Sequence, residues 1–198
     1  MSAAAVVRTR AAALGALLLV ALAVPGAASA SEPLWALLKG GGRVVLMRHA
    51  ITTPGVGDPP GMRLDDCATQ RNLTDEGRRH ARQAGEAFRA RGIEVERVLT
   101  SPWCRCAETA RLAFGTAGDM SLPLSNLYGR AERQPQQVRE LTALVSEPRA
   151  GGIVVMVSHG STIGALTGVA PAPAEMVVVT PQGAGRFAVD GRLIAHGP

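Results

Sequence analysis

Twice in this chain an unbroken apolar run ends in a histidine. Val44-Val45-Leu46-Met47 leads into Arg48-His49-Ala50, and Ile153-Val154-Val155-Met156 leads into Val157-Ser158-His159-Gly160. Short apolar runs without polar alternation read as strands buried inside a sheet. Between them the pattern turns helical. Thr74 is a good N-cap with Asp75 and Glu76 in the first turn. Ala81, Ala84 and Phe88 then supply one apolar face, and Gly92 ends the segment. Val95 to Thr100 reads as a strand. Ser101-Pro102 reads as an N-cap with proline at the first helical position, opening a helix to about Phe114. Residues 135–147 read as a helix, and Ser161 starts another. Glu175 to Thr180 and Gly185 to Val189 read as two late strands forming an antiparallel edge. Strands alternating with helices predict an α/β fold, a three-layer sandwich with a mostly parallel central sheet flanked by helices.

The first thirty residues stand apart from this pattern. Arg8 and Arg10 precede an apolar stretch from Ala11 to Val24, then Pro25-Gly26 and Ala28-Ser29-Ala30. That is the order of a secretory signal peptide, with the cut expected after Ala30. The apolar stretch is short for a membrane span of roughly 20 residues. The expected mature protein is therefore one domain over residues 31–198, periplasmic or secreted, with no stable membrane insertion. Two of the 21 basic residues lie in the leader, and the chain has 16 acidic ones, which leaves the domain at a net charge of +3. No basic run is interleaved with aromatics, which are 3% of the chain, so nucleic acid is not the expected partner.

Cys67, Cys104 and Cys106 allow one disulfide and one leftover thiol in an oxidising compartment. Cys104 and Cys106 lie two apart on a predicted helix, about 200° around it. They are poorly placed to bridge each other, which makes Cys67 the common partner. No spacing suits a zinc site.

In an α/β sheet, ligands bind just beyond the carboxyl ends of the strands. His49 and His159 both fall there. Arg105 falls in the first turn of the helix opened by Ser101, where its fork can meet an anion drawn by free backbone N–H groups. Gly160 permits close backbone approach. Two imidazoles and two guanidinium groups from Arg48 and Arg105 suit a phosphoryl group. The long polar loop over residues 50–72 leaves His49, and loops of that length are commonly functional. Its Arg63 and Arg71 read by default as solvated loop arginines, with an extension of the phosphate pocket as the alternative.

At this point the chain resembles the histidine phosphatase superfamily, the phosphoglycerate mutase-like clan (branch 1). The family's Arg-His-Gly appears as Arg48-His49-Ala50, followed by Thr52. Its Leu-Thr-x-x-Gly-x-x-Gln-Ala stretch appears as Leu73-Thr74-Asp75-Glu76-Gly77-Arg78-Arg79-His80-Ala81. Its Ser-x-x-x-Arg-Ala-x-x-Thr-Ala stretch appears as Ser101 to Ala110 around Arg105, and its second histidine as His159-Gly160. The segment from Gly57-Asp58-Pro59-Pro60 through Asp65-Asp66-Cys67, with Trp103-Cys104-Arg105-Cys106, looks like an exported bacterial subgroup.

The resemblance implies roles. His49 is the expected nucleophile, forming a phosphohistidine that water then hydrolyses. Arg48, Arg105 and His159 are expected to bind phosphoryl oxygens, with Thr52 and Gly160 as further substrate contacts. No metal or other cofactor is expected, because the cationic groups supply the positive charge. Cys106 takes the family's alanine position, which implies burial and favours a Cys67–Cys104 bridge. The chain departs from the family at the proton donor. Many members carry a Glu that aligns here with Asn126, and an amide cannot protonate a leaving alkoxide, a service worth about 10²–10⁴-fold. Either Asp58, Asp65 or Asp66 takes over, or the substrate has a good leaving group. The alternative reading is a catalytically weak protein of the cell envelope that binds phosphorylated ligands. A mutase is disfavoured by the expected export and by the missing Glu.

Overall fold

A computed structural model describes residues 31–195. The predicted leader with its cut after Ala30, and the end of the predicted domain at residues 196–198, lie outside the described residues. Six strands form one sheet: β1 (Val44–Arg48), β2 (Val95–Thr100), β3 (Asp119–Met120), β4 (Ile153–Ser158), β5 (Met176–Gly183) and β6 (Arg186–Leu193). Their order is β3-β2-β4-β1-β5-β6. The pairs β3-β2, β2-β4 and β4-β1 are parallel, whereas β1-β5 and β5-β6 are antiparallel. The expected sandwich and its antiparallel edge are both present.

Among the described residues five α-helices cover the sheet: α1 (Glu32–Lys39), α2 (Asp75–Ala90), α3 (Cys104–Phe114), α4 (Gln134–Ser146) and α5 (Gly160–Thr167). The buried strands alternate by the period of two that a strand imposes. Val45, Met47, Val155 and Val157 pack with Trp35, Ala81, Phe88 and Ala110 on the α1–α3 side. Val44, Leu46, Val154 and Met156 pack with Leu141, Val145 and Ile163 on the α4–α5 side. With both faces occupied, neither strand shows alternation in its sequence.

Thr74 caps α2 as predicted, its hydroxyl accepting from Gly77 N at 3.0 Å. Gly77 has a second task. A Cβ there would lie 2.1 Å from the carbonyl oxygen of Ile51. Only glycine lets α2 press against the backbone that has just left His49.

Helix α3 begins at Cys104, three residues after the expected N-cap. Ser101 is held elsewhere, its hydroxyl hydrogen-bonded to His159 Nε2 at 2.8 Å. The cap comes from the loop instead, as Gln70 Oε1 accepts from Cys104 N at 3.0 Å. The same contact region carries the disulfide between Cys67 and Cys104. Cys106 is the free, fully buried cysteine, and burial pushes its thiol up to about 12, so it is a core thiol rather than a reactive one.

Candidate active site

The sheet register brings the two histidines together. Parallel neighbours β1 and β4 pair Met47 with Val157 and Arg48 with Ser158, so His49 and His159 are next in line. Both continue the alternation that faces α3. Their rings lie 5.3 Å apart between centroids, and Trp103 packs edge-on to His159 at 5.2 Å. Both imidazoles are buried.

Hydrogen bonding fixes their tautomers. His49 Nδ1 lies 2.9 Å from the Ala50 carbonyl oxygen. A carbonyl only accepts, so Nδ1 carries the proton and the lone pair sits on Nε2. His159 Nδ1 lies 3.5 Å from Arg105 Nη2, which only donates, so its Nε2–H faces the Ser101 hydroxyl. Burial, then the charge of Arg105, lowers His49 to about 3. Burial lowers His159 well below the ordinary imidazole value, reinforced by His49 and Arg105. Both rings are neutral at pH 7, the state a nitrogen nucleophile requires.

This has a consequence for stability. An imidazole in the unfolded chain titrates near 6.5, but His49 in the fold titrates at about 3. Between those values the unfolded chain binds a proton that the fold refuses. Stability therefore falls as pH drops from about 6.5, by about 1.4 kcal/mol per pH unit for a single such group. Thermal melts from pH 7 to 5 are expected to show the slope, and His49→Gln to reduce it, the remainder coming from His159. An equal slope in the variant would assign it to other groups.

Three guanidinium groups surround the rings. Arg48 ends β1, with Nη1 donating to Pro171 O at 2.9 Å. Arg105 is 1% exposed in α3. Arg71, the second loop arginine, lines the same cavity, with its Nη1 donating to Gly55 O, whereas Arg63 does not line it. Among the described residues, each of the three keeps a buried Nε–H without a partner. Arg43 and Arg149 share that property elsewhere, so convergence on one cavity is what distinguishes these three. The cavity is about 440 Å³ and adds Asn126, Tyr128, Gly160 and Ser161 to its walls. Gly160 makes room for Arg48, whose Cδ and Nε would lie 3.3 Å from a Cβ there. Another depression, about 450 Å³, between α4 and the β5–β6 turn contains none of the predicted site residues.

The candidate acids fall in different places. Asp65 and Asp66 lie outside the cavity, paired with Arg63 at 3.3 and 3.4 Å. Asp66 also accepts from Ala68 N, capping a short 3-10 helix over Cys67–Thr69. Neither reaches the histidines because both stabilise the turn that carries them. Asp58 reaches the site but is tied down. Its Oδ1 accepts from Arg105 Nη1 at 2.6 Å and its Oδ2 from Arg105 Nη2 at 3.2 Å. Trp103 Nε1 and Arg71 N complete its shell. Burial alone would raise its carboxyl, but the hydrogen bonds and charge of Arg105 prevail and hold it below the usual carboxylate range. It is an ionised acceptor, unsuited to giving a proton at neutral pH. Thr52 bridges to Leu73 and does not line the cavity. Asn126 does line it, with Oδ1 accepting from Tyr128 N and from the Ser161 hydroxyl. Ala50 lies at none of the positive-φ positions and so tolerates its side chain.

Residues 44–134 match the family model of the Histidine phosphatase superfamily (branch 1). The match supports branch 1 of that superfamily for this chain. Over 62 residues the chain is 37% identical to 2,3-bisphosphoglycerate-dependent phosphoglycerate mutases from two strains of Caulobacter vibrioides, covering 31% of this chain and 26% of each relative. The matched stretch thus spans about a quarter of their length. Among solved structures, an open reading frame product of Mycobacterium tuberculosis aligns with a TM-score of 0.59 at 20% identity, covering 78% of this chain and 99% of the other. The protein histidine phosphatase SixA, complexed with tungstate, aligns at 0.56 and 21%, covering 77% and 97%. A mycobacterial glucosyl-3-phosphoglycerate phosphatase aligns at 0.54 and 19%, covering 75% and 97%. These likenesses show a shared fold.

Proposed function

We propose that the protein is a phosphohydrolase working through a phosphohistidine on His49. The observation that carries this is a neutral, buried imidazole with Nδ1–H held by Ala50 O and Nε2 free, beside three cations with unpaired N–H donors. Nε2 attacks phosphorus as the bond to the leaving oxygen breaks. Arg48, Arg71 and Arg105 donate to the equatorial oxygens, where charge spreads during transfer. Water then forms the new P–O bond as the P–N bond breaks. Phosphate departs with the water's protons, and His49 returns neutral. Hydrolysis is favoured over a mutase because, among the described residues, no carboxylic acid able to shuttle a proton lines the cavity.

An exported location is part of the proposal. The Cys67–Cys104 disulfide, placed against the arginine-bearing helix, suits an oxidising compartment.

The test is chemical trapping. The purified protein is mixed with an aryl phosphate, quenched in alkali and digested. An acid-labile phosphoryl group is expected on the peptide containing His49. Steady turnover with no adduct, or with the adduct on another residue, rules out the mechanism.

A further inference from the structure

Beside the catalytic cavity lies a second one of about 270 Å³, walled by Asp58, Pro59, Met62 and Arg130. The two share Gly57, Asn126 and Tyr128. A group leaving the phosphorus past Asn126 would enter it. Arg130 is held there from two sides. Its guanidinium stacks over the Trp103 ring at 5.0 Å, and its Nη1 donates to Asn126 O at 3.2 Å. Among the described residues it forms no ion pair. Asp58, the one carboxylate on this wall, has both oxygens committed to Arg105, Trp103 and Arg71. The wall therefore offers N–H donors and positive charge, and no carboxylic acid free to supply a proton. Tyr128 is 57% exposed at the lip. The Ser161 hydroxyl already donates to Asn126.

Such a wall helps a leaving group that departs as an anion and fails one that departs as an alkoxide. We propose that the subsite around Arg130 and Asn126 selects phosphoanhydrides, in which the departing group is itself a phosphate. This rests on the phosphohydrolase reading above. As the Nε2–P bond forms, the bond from phosphorus to the bridging oxygen breaks. Its electron pair stays on that oxygen, and the departing phosphate leaves without needing a proton. The free N–H groups of Arg130 hold it, a charge-assisted contact of the strong kind.

The test measures kcat/KM of the purified protein for pyrophosphate, a nucleoside diphosphate, an aryl phosphate and glycerol phosphate. Either anhydride is expected to exceed glycerol phosphate by about 100-fold or more, the scale of the missing general acid. The better anhydride tells whether the second phosphate must carry an organic group. Arg130→Gln is expected to lower the anhydride-to-aryl ratio about tenfold, the worth of one charged hydrogen bond, and Arg130→Lys to restore part of it. Should Arg130→Gln fail to fold, the Lys variant alone still reads the ratio, which must fall below wild type. Glycerol phosphate turned over as well as the anhydrides overturns the inference and leaves the hydrolase standing, as does an unmoved ratio in the Arg130 variants. Inertness toward aryl phosphate and anhydrides alike overturns the hydrolase reading itself.

Discussion

His49→Ala is expected to reduce aryl phosphate turnover by roughly 10⁴–10⁶-fold, the range seen when a covalent nucleophile is removed. An aryl leaving group needs little protonation, so this substrate isolates the nucleophile from any question of acid catalysis. No neighbouring group can replace the lost nitrogen. His159 directs Nε2 to Ser101 and Nδ1 to Arg105, and the Cys106 thiol is buried and pushed up to about 12. Binding should respond differently. The donors that meet the anion are on Arg48, Arg71 and Arg105, and all survive the substitution. Competitive inhibition by phosphate, read on the residual turnover or by calorimetry, is therefore expected to stay within about tenfold of wild type. Such a split, with kcat lost and ligand affinity kept, identifies a group that acts only in the transition state. Wild-type turnover no faster than the variant's would instead make the protein a binder of phosphorylated ligands.

Much of this site is legible in the sequence. Two apolar runs ending in histidine indicated two buried strands with imidazoles at their carboxyl ends. Their contact was not legible, because it depends on β1 and β4 being parallel neighbours in a register that no local pattern records. The start of α3 departs from the local pattern for a related reason. Ser101-Pro102 has the chemistry of a helix start, but Ser101 is drawn to His159, 58 residues away, and Gln70 caps the helix in its place. For Arg71 the loop pattern leaves two readings, a solvated arginine or an extension of the phosphate pocket. It is in the cavity because the disulfide and Gln70 bind its end of the loop to α3. The role of Asp58 was hidden by distance as well. Its partner Arg105 lies 47 residues on, and that partner turns a candidate acid into a fixed anion.

That pairing makes Arg105→Ala the second large effect, on two separate readouts. Arg105 and Asp58 form a buried pair with side chains 1% and 9% exposed. Removing one member of such a pair leaves the other charge buried alone, a loss of about 3–5 kcal/mol. Arg105→Ala is thus expected to lower the melting temperature sharply as well as to weaken the site. Asp58→Ala leaves an uncompensated cation among Arg48, Arg71 and Arg105, and should also destabilise. In the double variant neither charge is stranded, so its stability loss should be well below the sum of the single losses. A coupling of this kind is what a double-mutant cycle measures. Vanadate inhibition should separate the two residues. Its affinity is expected to fall about 10–100-fold in Arg105→Ala and to remain low in the double variant, because the donors are gone in both. Asp58→Ala should cost less, since Arg105 persists and loses only the carboxylate that aims it. Additive stability losses would show that the pair is not coupled, and unchanged vanadate inhibition in Arg105→Ala would remove that guanidinium from the anion site.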